Sequence, residues 1–376
     1  MPTVSLPVAM RPPARGLPRP AAPNLRGFTR AELEEWVARE LGGPGFRAGQ
    51  IFGWLHRSRV DDPQSMTNLA QADRATLASK ATWTRLRIDA AQQAVDGTRK
   101  LRLRGALDEP FESVLIPNPG RGWTQCVSSM VGCSLTCRFC ATAQLGFVRN
   151  LATWEIVDQV YQAQDLLARE AQAAGARWSD RITNLVFMGM GEPLHNYGQV
   201  TAAIRLLIDP QGAGLAARRI TVSSAGLVPA IERFARDPLG TEVGLAISLN
   251  ATTDAVRDRI MPINTKWNIA TLLDAVRGMP SEGRRRVTFE YVLLADVNDG
   301  DDDAARLFRL VGEFDAHINV IPFNPHPGTE LRRPSPMAVQ RFVAQCRAHG
   351  LQVHVRTPRG DDIAAACGQL ALEASP

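Results

Sequence analysis

The first part of the chain repeats apolar residues at the spacing of amphipathic helices. Thr29 lies three residues before Glu32, which is the spacing of a capping box, and an apolar face follows it. Two further helical patterns lie near Arg47–His56 and Ala72–Lys80. Residues 27–82 are therefore predicted to fold as a small helical domain.

A different pattern begins at Trp123, where short apolar runs alternate with helical patterns. This alternation is typical of βαβ units, which build a parallel sheet. The predicted strands are Trp123–Val127, Asn184–Met188, Arg219–Ser223, Gly244–Ser248, Val287–Leu294, Ile318–Ile321 and Val353–Arg356. The predicted helices between them are Thr153–Ala168, Val200–Ile208, Val228–Ala235, Ile269–Met279, Asp302–Phe314 and Pro336–Ala348.

The alternation predicts an α/β fold in which residues 121–370 form a partial (β/α)6 barrel. Residues 83–120 precede the barrel as a linker with two strand-like runs, at Lys100–Arg104 and Phe111–Ile116. In parallel barrels the chemistry takes place at the carboxyl ends of the strands. Functional residues are therefore expected in the turns that follow the strands.

Composition separates the beginning of the chain from the rest. Seven prolines fall within the first 24 residues, so residues 1–26 are predicted to be a disordered leader that cannot bury a core. Residues 1–104 carry 17 Lys and Arg against 9 Asp and Glu, whereas the remainder carries 26 against 29. A basic amino-terminal part suggests a polyanionic partner such as RNA, and a solvated basic face is the alternative.

The chain lacks the sequence signals of membrane and secreted proteins. No run of 18 apolar residues occurs, so no transmembrane helix is expected, and the amino terminus has no apolar segment of signal-peptide length. Six cysteines, three of them in one short stretch, favour a reducing compartment over a disulfide scaffold. The predicted location is the cytoplasm, without a membrane partner.

Cys133, Cys137 and Cys140 form a C-x3-C-x2-C motif directly after the first barrel strand. Iron–sulfur clusters are held by Cys thiolates, and three thiolates leave one iron of a four-iron cluster open to a small molecule. A structural zinc site is the alternative, but it requires four ligands and commonly a second pair of Cys or His. No second pair occurs and the six histidines are scattered, so the motif favours an iron–sulfur cluster.

Glycines and small polar residues follow the later strands. Glycine permits close approach of a ligand, and a carboxylate can accept a hydrogen bond from an ammonium group. Together these residues predict a ring of contacts for a cofactor with amino-acid-like and ribose-like parts, although each alone also suits the capping of a turn. They are Gly191, Glu192, Ser223, Ser248, Asn250 and Asn324.

Three cysteines lie outside the motif. Cys346 is on the apolar side of a predicted helix and is predicted to be a buried small hydrophobic residue. Cys126 lies on the first barrel strand, and Cys367 lies in a Gly- and Asp-rich segment after the last strand. Composition alone does not assign a role to these two.

Eight stretches of sequence occur in one order between residues 112 and 370, approximately. With them the chain resembles the RlmN/Cfr family of radical S-adenosylmethionine (SAM) RNA methyltransferases, and residues 27–80 are similar to that family's amino-terminal domain. The Pro-rich leader lies outside the resemblance, and Asn250 stands where family members often carry His. The stretches are FESVLIP, CVSSMVGCSLTCRFCATAQLGF, NLVFMGMGEPLHNY, RRITVSSAG, AISLNATTDAVRDRIMPIN, TFEYVLL, IPFNPHPG and RGDDIAAACGQL.

The resemblance implies a role for each candidate residue. The three cysteines of the motif would hold a [4Fe–4S] cluster whose open iron binds SAM. Cys367 would carry a methyl group, Cys126 would resolve the adduct between protein and RNA, and Glu112 would accept a proton. The residues that would contact SAM are Gly191, Glu192, Ser223, Ser248, Leu249, Asn250 and Asn324.

The resemblance also implies a reaction and its substrates. Carbon 2 of adenine is electron-poor and cannot attack the SAM methyl group, so a radical route with a cofactor is required. One SAM would methylate Cys367, a second would supply the radical, and Cys126 would release methylated RNA and leave a disulfide. The implied substrates are an adenosine in the peptidyl-transferase centre of 23S rRNA and a tRNA adenosine next to the anticodon.

RNA is expected to contact the helical domain and the turns Arg218–Arg219 and Arg284–Arg286, with the target base flipped out of its stack. The protein is expected to be a monomer and to receive its electron from a donor such as flavodoxin or ferredoxin. Three alternatives stay open at this point. They are methylation of carbon 8 of the same adenosine, as in the resistance-type branch of the family, a non-enzymatic RNA-binding iron–sulfur protein, and a radical SAM enzyme for a small substrate.

Overall fold

The computed structural model describes residues 22–42, 45–105, 107–175, 181–280 and 287–372. The larger part of the predicted leader and the turn Arg284–Arg286 lie outside these residues. The helices are α1 Arg30–Glu40, α2 Phe46–Phe52, α3 Gln71–Lys80, α4 Ala141–Leu145, α5 Thr153–Ala173, α6 Tyr197–Ile208, α7 Val228–Arg236, α8 Leu239–Glu242, α9 Asp254–Ile260, α10 Ile269–Arg277, α11 Asp301–Val311 and α12 Pro336–Ala348. The strands are β1 Arg87–Gln93, β2 Arg99–Arg104, β3 Pro110–Asn118, β4 Gly122–Cys126, β5 Met130–Gly132, β6 Phe147–Asn150, β7 Ile182–Phe187, β8 Ile220–Ser224, β9 Gly244–Ser248, β10 Val287–Leu293, β11 Ala316–Pro322 and β12 Val353–Val355.

In the described part of the chain, ten strands form one mixed sheet, in the order β1-β2-β3-β4-β7-β8-β9-β10-β11-β12. The strands from β4 to β12 in this order pair in parallel, which confirms the predicted α/β fold. Six of them, β4 to β11, are the strands of the partial barrel, and β12 extends it at the open edge. The helices α5, α6, α7, α10, α11 and α12 are the six that the sequence predicted.

The segment between the helical domain and the barrel adds three antiparallel strands to the same sheet, next to β4. Two of them, β2 and β3, match the predicted strand-like runs. The third, β1, was not predicted because it lies at the sheet edge and its residues are mostly half-buried or exposed. Charge helps to hold it there: Asp89 of β1 accepts hydrogen bonds from Arg102 and Arg104 of β2 at 2.9 and 2.7 Å.

The helical domain packs onto the barrel through a shared core. The predicted capping box is present, because Thr29 N–H donates to Glu32 Oε2 at 2.8 Å and the Thr29 hydroxyl accepts from Glu32 N–H. Leu33, Trp36, Ile51 and Phe52 belong to the same apolar cluster as residues of the barrel. A buried hydrogen bond of 2.9 Å between His56 Nδ1 and the Tyr161 hydroxyl, from α5, also crosses the boundary. The domain is therefore firmly seated against one end of the sheet.

None of the described helices combines the length and the apolar character that crossing a membrane requires.

A candidate active site at the carboxyl ends of the strands

Ten of the predicted site residues line one cavity at the barrel mouth: Cys367 from the carboxyl-terminal segment, and nine that follow barrel strands. Each of the nine lies at or just beyond the carboxyl end of a parallel strand, as the barrel architecture requires. Leu249 does not line this cavity: its side chain is fully buried, and its N–H donates to the Glu290 carbonyl at 3.1 Å. The nine that follow barrel strands are Cys133, Cys137, Cys140, Gly191, Glu192, Ser223, Ser248, Asn250 and Asn324.

The cysteine loop is anchored at both of its ends. The Cys133 N–H donates to the Gly146 carbonyl at 3.0 Å, and the Ala141 N–H donates to the Gly368 carbonyl at 2.7 Å. Gly132, just before the loop, has a φ of +71°, and a Cβ there would collide with the Gly146 carbonyl. Only glycine fits such a turn. The anchor at Gly368 ties the loop directly to the segment that carries Cys367.

The surroundings of the loop favour the neutral form of its three thiols, so a bound cation would be required to keep them as thiolates. Burial raises the pKa of the Cys133 thiol to about 12 and raises the pKa values of Cys137 and Cys140 as well, and neighbouring thiolates add to the rise at Cys133 and Cys137. A structural zinc ion would need four converging ligands. Among the described residues, no three His, Cys, Asp or Glu side chains are placed to share one metal ion. A four-iron cluster takes its thiolates at separate irons, which fits three thiols along one loop.

Two acceptor atoms in the cavity wall have no hydrogen-bond partner among the described residues. They are Asn324 Oδ1 and Glu290 Oε2, and both side chains are buried. An acceptor left unpaired in a buried site costs free energy unless a ligand donates to it. The ammonium group and ribose hydroxyls of SAM are donors of this kind, so the wall fits SAM.

Glu192 and Gly191 shape the second turn of the barrel. Glu192 Oε2 accepts from the Ala225 N–H at 2.8 Å and Oε1 accepts from the Leu194 N–H at 3.2 Å, while burial raises the pKa of the carboxyl to about 7. A cationic ligand beside it would favour the ionised form. Gly191 has a φ of +102°, and a Cβ there would lie 2.6 Å from Met130 Cγ, so glycine is required.

Asn250 is held in the left-handed region, with a φ of +57°. Asparagine tolerates this conformation better than most residues. Its Oδ1 accepts from the Val292 N–H at 2.8 Å, and its carbonyl accepts from Asn298 Nδ2 at 2.7 Å. The residue that departs from the family pattern is therefore fixed by its neighbours and still faces the cavity.

Cys126 and Cys367 line a second cavity that adjoins the first. Cys140, Asn324 and Arg356 line both cavities, as does Cys367. Cys367 is accessible, whereas Cys126 is buried, and both are free thiols. Burial, together with a charge on Cys367, raises the pKa of the Cys126 thiol to about 12. The structure thus brings together two thiols that lie 241 positions apart, from 126 to 367.

Glu112 lines neither of these cavities. Its buried carboxyl lies 3.6 Å from Lys100 Nζ and accepts from the Leu372 N–H at 3.4 Å. Burial raises the pKa of Glu112, and the nearby Lys100 charge opposes this rise. The carboxyl-terminal segment therefore contacts Glu112 directly, and the proton-acceptor role stays a prediction.

Sequence reasoning missed three charged residues at the site. Glu290 and Arg356 line the first cavity, with Arg356 Nη1 3.8 Å from Glu290 Oε2. The sequence does contain a signal that could have identified Glu290, because this charged residue lies inside a mostly apolar predicted strand. Arg257 of α9 is fully buried and had no such signal, since its role depends on which turns the fold brings around it.

Arg257 ties two strand ends together beneath the cysteine loop. Its guanidinium donates to the carbonyls of Ala225, Ser248 and Leu249 at 2.8 to 3.0 Å, and to Asn264 Oδ1 at 3.0 Å. Burial lowers the pKa of Arg257 to about 10, and the charge on Cys137 opposes this change. A buried cation therefore lies close to Cys137 and holds the turns after β8 and β9 in place.

Comparisons with known proteins agree with this geometry. Residues 23–82 match the family described as ribosomal RNA large subunit methyltransferase N-terminal domain, and residues 127–308 match the radical SAM superfamily. The chain is 45% identical over 360 residues to the dual-specificity RNA methyltransferase RlmN of Anaeromyxobacter sp. (strain Fw109-5), which covers 96% of this chain and 93% of the relative. It is 46% identical to the protein of the same name from Caulobacter sp. (strain K31), over 93% of this chain and 86% of the relative.

A solved structure of a radical SAM methyltransferase is also similar to this chain. The crystal structure of a radical SAM methyltransferase from Sphaerobacter thermophilus matches with a TM-score of 0.84 and 43% identity, over 93% of this chain and all of the other. Members of the radical SAM superfamily use a [4Fe–4S] cluster held by three cysteines together with SAM, and the residues found here fit both groups. The chain therefore belongs to the RlmN family of radical SAM methyltransferases.

Proposed function

We propose that this protein methylates carbon 2 of an adenosine in the peptidyl-transferase centre of 23S rRNA, and of a tRNA adenosine next to the anticodon. The relatives named above are dual-specificity RNA methyltransferases, which supports RNA as the substrate. The observation that carries the proposal is the meeting of Cys126 and Cys367 in one cavity beside the cysteine motif. A methyltransferase that moved the methyl group directly from SAM to RNA would have no use for this pair.

The cofactors would be held by the residues that line the first cavity. Cys133, Cys137 and Cys140 hold the cluster in this proposal, and the wall from Gly191 to Asn324 contacts SAM. When bound, these groups supply one electron and a carbon-centred radical, which the electron-poor carbon 2 of adenine requires. Among the described lining residues, Glu192 and Glu290 are the two carboxylates of the wall, and Glu192 would accept a hydrogen bond from the SAM ammonium group.

Cys367 is the methyl carrier in this proposal. Its thiolate attacks the methyl carbon of a SAM sulfonium, so that a sulfur–carbon bond forms and S-adenosylhomocysteine leaves. Partial desolvation of the sulfur within the cavity raises the pKa of the Cys367 thiol, and the nearby charge of Arg356 opposes this rise and favours the thiolate. The segment is held in place because Asn324 Nδ2 donates to the Cys367 carbonyl at 3.1 Å and the Thr142 hydroxyl donates to the Leu370 carbonyl at 2.7 Å.

Cys126 completes the reaction by freeing the RNA. Its thiolate attacks the Cys367 sulfur, a disulfide forms, and the bond between that sulfur and the carbon attached to RNA breaks. The electron pair of the broken bond goes to that carbon, which takes up a proton and becomes the methyl group. A dithiol reductant then restores both thiols. Glu112 is the proposed acceptor of the proton lost from carbon 2.

The other parts of the proposal concern the surroundings of the site. The helical domain at 27–82 binds RNA, and the target base is flipped out of its stack to reach the cavity. Arg218–Arg219 does not take part at the barrel mouth, because these residues precede β8 and Ser223 lies near its other end. A flavodoxin or ferredoxin donor, a monomer and a cytoplasmic location stay predictions.

Mass spectrometry of nucleosides tests the proposed function. The protein is reconstituted anaerobically with iron and sulfide and then given SAM, a reductant and unmodified 23S rRNA or tRNA. We expect 2-methyladenosine in both RNAs. An 8-methyladenosine product would contradict the carbon-2 assignment and place the chain with the resistance-type branch. If neither product formed while a relative worked on the same RNA, an RNA-binding iron–sulfur protein or an enzyme for a small substrate would be the better account.

A further inference from the structure

A third cavity lies at the other end of the barrel, between the helical domain and the sheet. It is placed at the amino ends of β4, β7 and β8, because Gly122, Ile182 and Arg219 line it. We call it the basic groove. Six arginines line the groove and, among the described residues, no Asp or Glu does so. The six are Arg57, Arg59, Arg121, Arg181, Arg218 and Arg219.

Most of this positive charge is not neutralised within the protein. Arg59 pairs with Asp165 at 2.8 Å, and Arg219 donates to the Asn184 amide oxygen at 3.1 Å. The other four are exposed and have no carboxylate partner in the part of the chain that the structure describes. They come from separate segments: the end of the second helical stretch, the turn before β4, the residue before β7 and the turn before β8. Such convergence of like charges costs free energy unless an anion binds.

Buried polar groups lie behind the arginines. His56 and Gln164 both line the groove, and each has a side-chain nitrogen with no hydrogen-bond partner among the described residues. The Gln164 nitrogen, Nε2, is a donor. A buried donor without a partner is rare in folded proteins and suits an oxygen-rich ligand. The groove thus combines exposed arginines with buried side-chain nitrogens that have no hydrogen-bond partner among the described residues.

The groove is too far from the cysteines to bind the reacting nucleotide. Arg218 lies before β8 and Ser223 lies near the end of it, and five residues of strand extend about 16 Å. A ligand that occupies both ends of the barrel must therefore be long. An RNA whose backbone runs from the barrel mouth around the outside of the sheet meets this requirement, and phosphate is the group that arginine clusters recognise.

We propose that the basic groove binds backbone phosphates of a long RNA substrate at a distance from the target adenosine. This inference rests on the proposed function, because it takes RNA to be the substrate. It assigns Arg218 and Arg219 to a second contact surface rather than to the entry of the base into the active site. It also gives the junction of the helical domain and the barrel a direct part in RNA recognition.

A triple substitution tests the groove. Arg57→Gln, Arg121→Gln and Arg218→Gln remove three exposed charges from three segments. None of these side chains has a hydrogen bond or ion pair to another residue within the described ranges, so their loss should leave the fold intact. The matched control replaces three exposed arginines of barrel helices outside the groove, Arg236, Arg309 and Arg341, by Gln. Two RNAs are used: a long fragment of 23S rRNA that contains the peptidyl-transferase centre, and a short stem-loop with the target adenosine.

We expect the groove variant to bind the long RNA at least tenfold more weakly. The slope of log K against log salt concentration should become about 2 less steep, since each phosphate contact contributes roughly 0.7 to 0.9 to that slope. Methylation of the short stem-loop at saturating concentration should equal that of the control variant. Equal affinity and equal salt dependence of both variants for the long RNA would overturn the inference. If the unsubstituted enzyme methylated neither RNA, that result would contradict the proposed function and not the groove. Failure of the proposed function is therefore distinguishable from failure of the inference about the groove.

Discussion

A Cys126→Ala variant, supplied with SAM, a reductant and RNA, should accumulate protein that is covalently joined to RNA through Cys367. The variant keeps Cys367, the proposed methyl carrier, and every residue that lines the first cavity, so the proposed steps up to the adduct should proceed. Among the described residues, three thiols line the second cavity, those of Cys126, Cys140 and Cys367. The variant lacks the first of them. Without attack on the Cys367 sulfur, the bond to the RNA carbon has no route of cleavage.

Denaturing gels and peptide mass spectrometry measure this adduct. We expect its yield to approach one per active protein, and release of methylated RNA to fall by at least about a thousandfold, as removal of a covalent catalytic group does in other enzymes. Cys346→Ala is the matched control, because Cys346 is fully buried on α12 and lines neither cavity. Normal turnover in Cys126→Ala without an adduct would show that another group performs the resolution.

A Cys367→Ala variant should form no methylated RNA while it still assembles the iron–sulfur cluster. Cluster binding depends on the thiols of the loop from Cys133 to Cys140, which this substitution leaves in place. The loop keeps its anchor as well, since the bond from the Ala141 N–H goes to a backbone carbonyl, that of Gly368. Turnover should therefore fall by at least about a thousandfold through loss of the nucleophile alone.

Iron content, the visible absorption of the cluster and nucleoside analysis measure the two effects separately. The same Cys346→Ala protein serves as the control for the loss of one thiol. An unchanged cluster with no methylated RNA is the expected result. Methylation at the rate of the unsubstituted enzyme would remove Cys367 from the reaction, and loss of the cluster would mean that this residue supports the cysteine loop instead.

Local sequence patterns were sufficient to predict most of the barrel. Apolar runs of about five residues between helical patterns correspond to β4 and β7–β12, because strands buried on both faces are apolar throughout. Strand β1 has no such run: Arg87–Gln93 is half-exposed and is held partly by charge pairs to β2. Helices α4, α8 and α9 have four to seven residues, which is too few to show a helical period.

The residues of the candidate site were likewise predictable only in part. The cysteine motif and the polar strand ends are local signals, and the parallel topology alone brings them to one edge. Arg257, Glu290 and Arg356 gain their positions from contacts between distant segments, which a single sequence does not display. The basic groove is another example, since its arginines are scattered from 57 to 219 and only the fold assembles them.

Transfer of a labelled methyl group tests the central claim most directly. The protein is first methylated with SAM that carries carbon-13 in its methyl group, then freed of SAM, and finally given unlabelled SAM, a reductant and RNA for a single turnover. The account predicts that the first methyl group on carbon 2 of the adenosine contains carbon-13, because it comes from Cys367. An unlabelled methyl group in the RNA, with the label retained on Cys367, would contradict it.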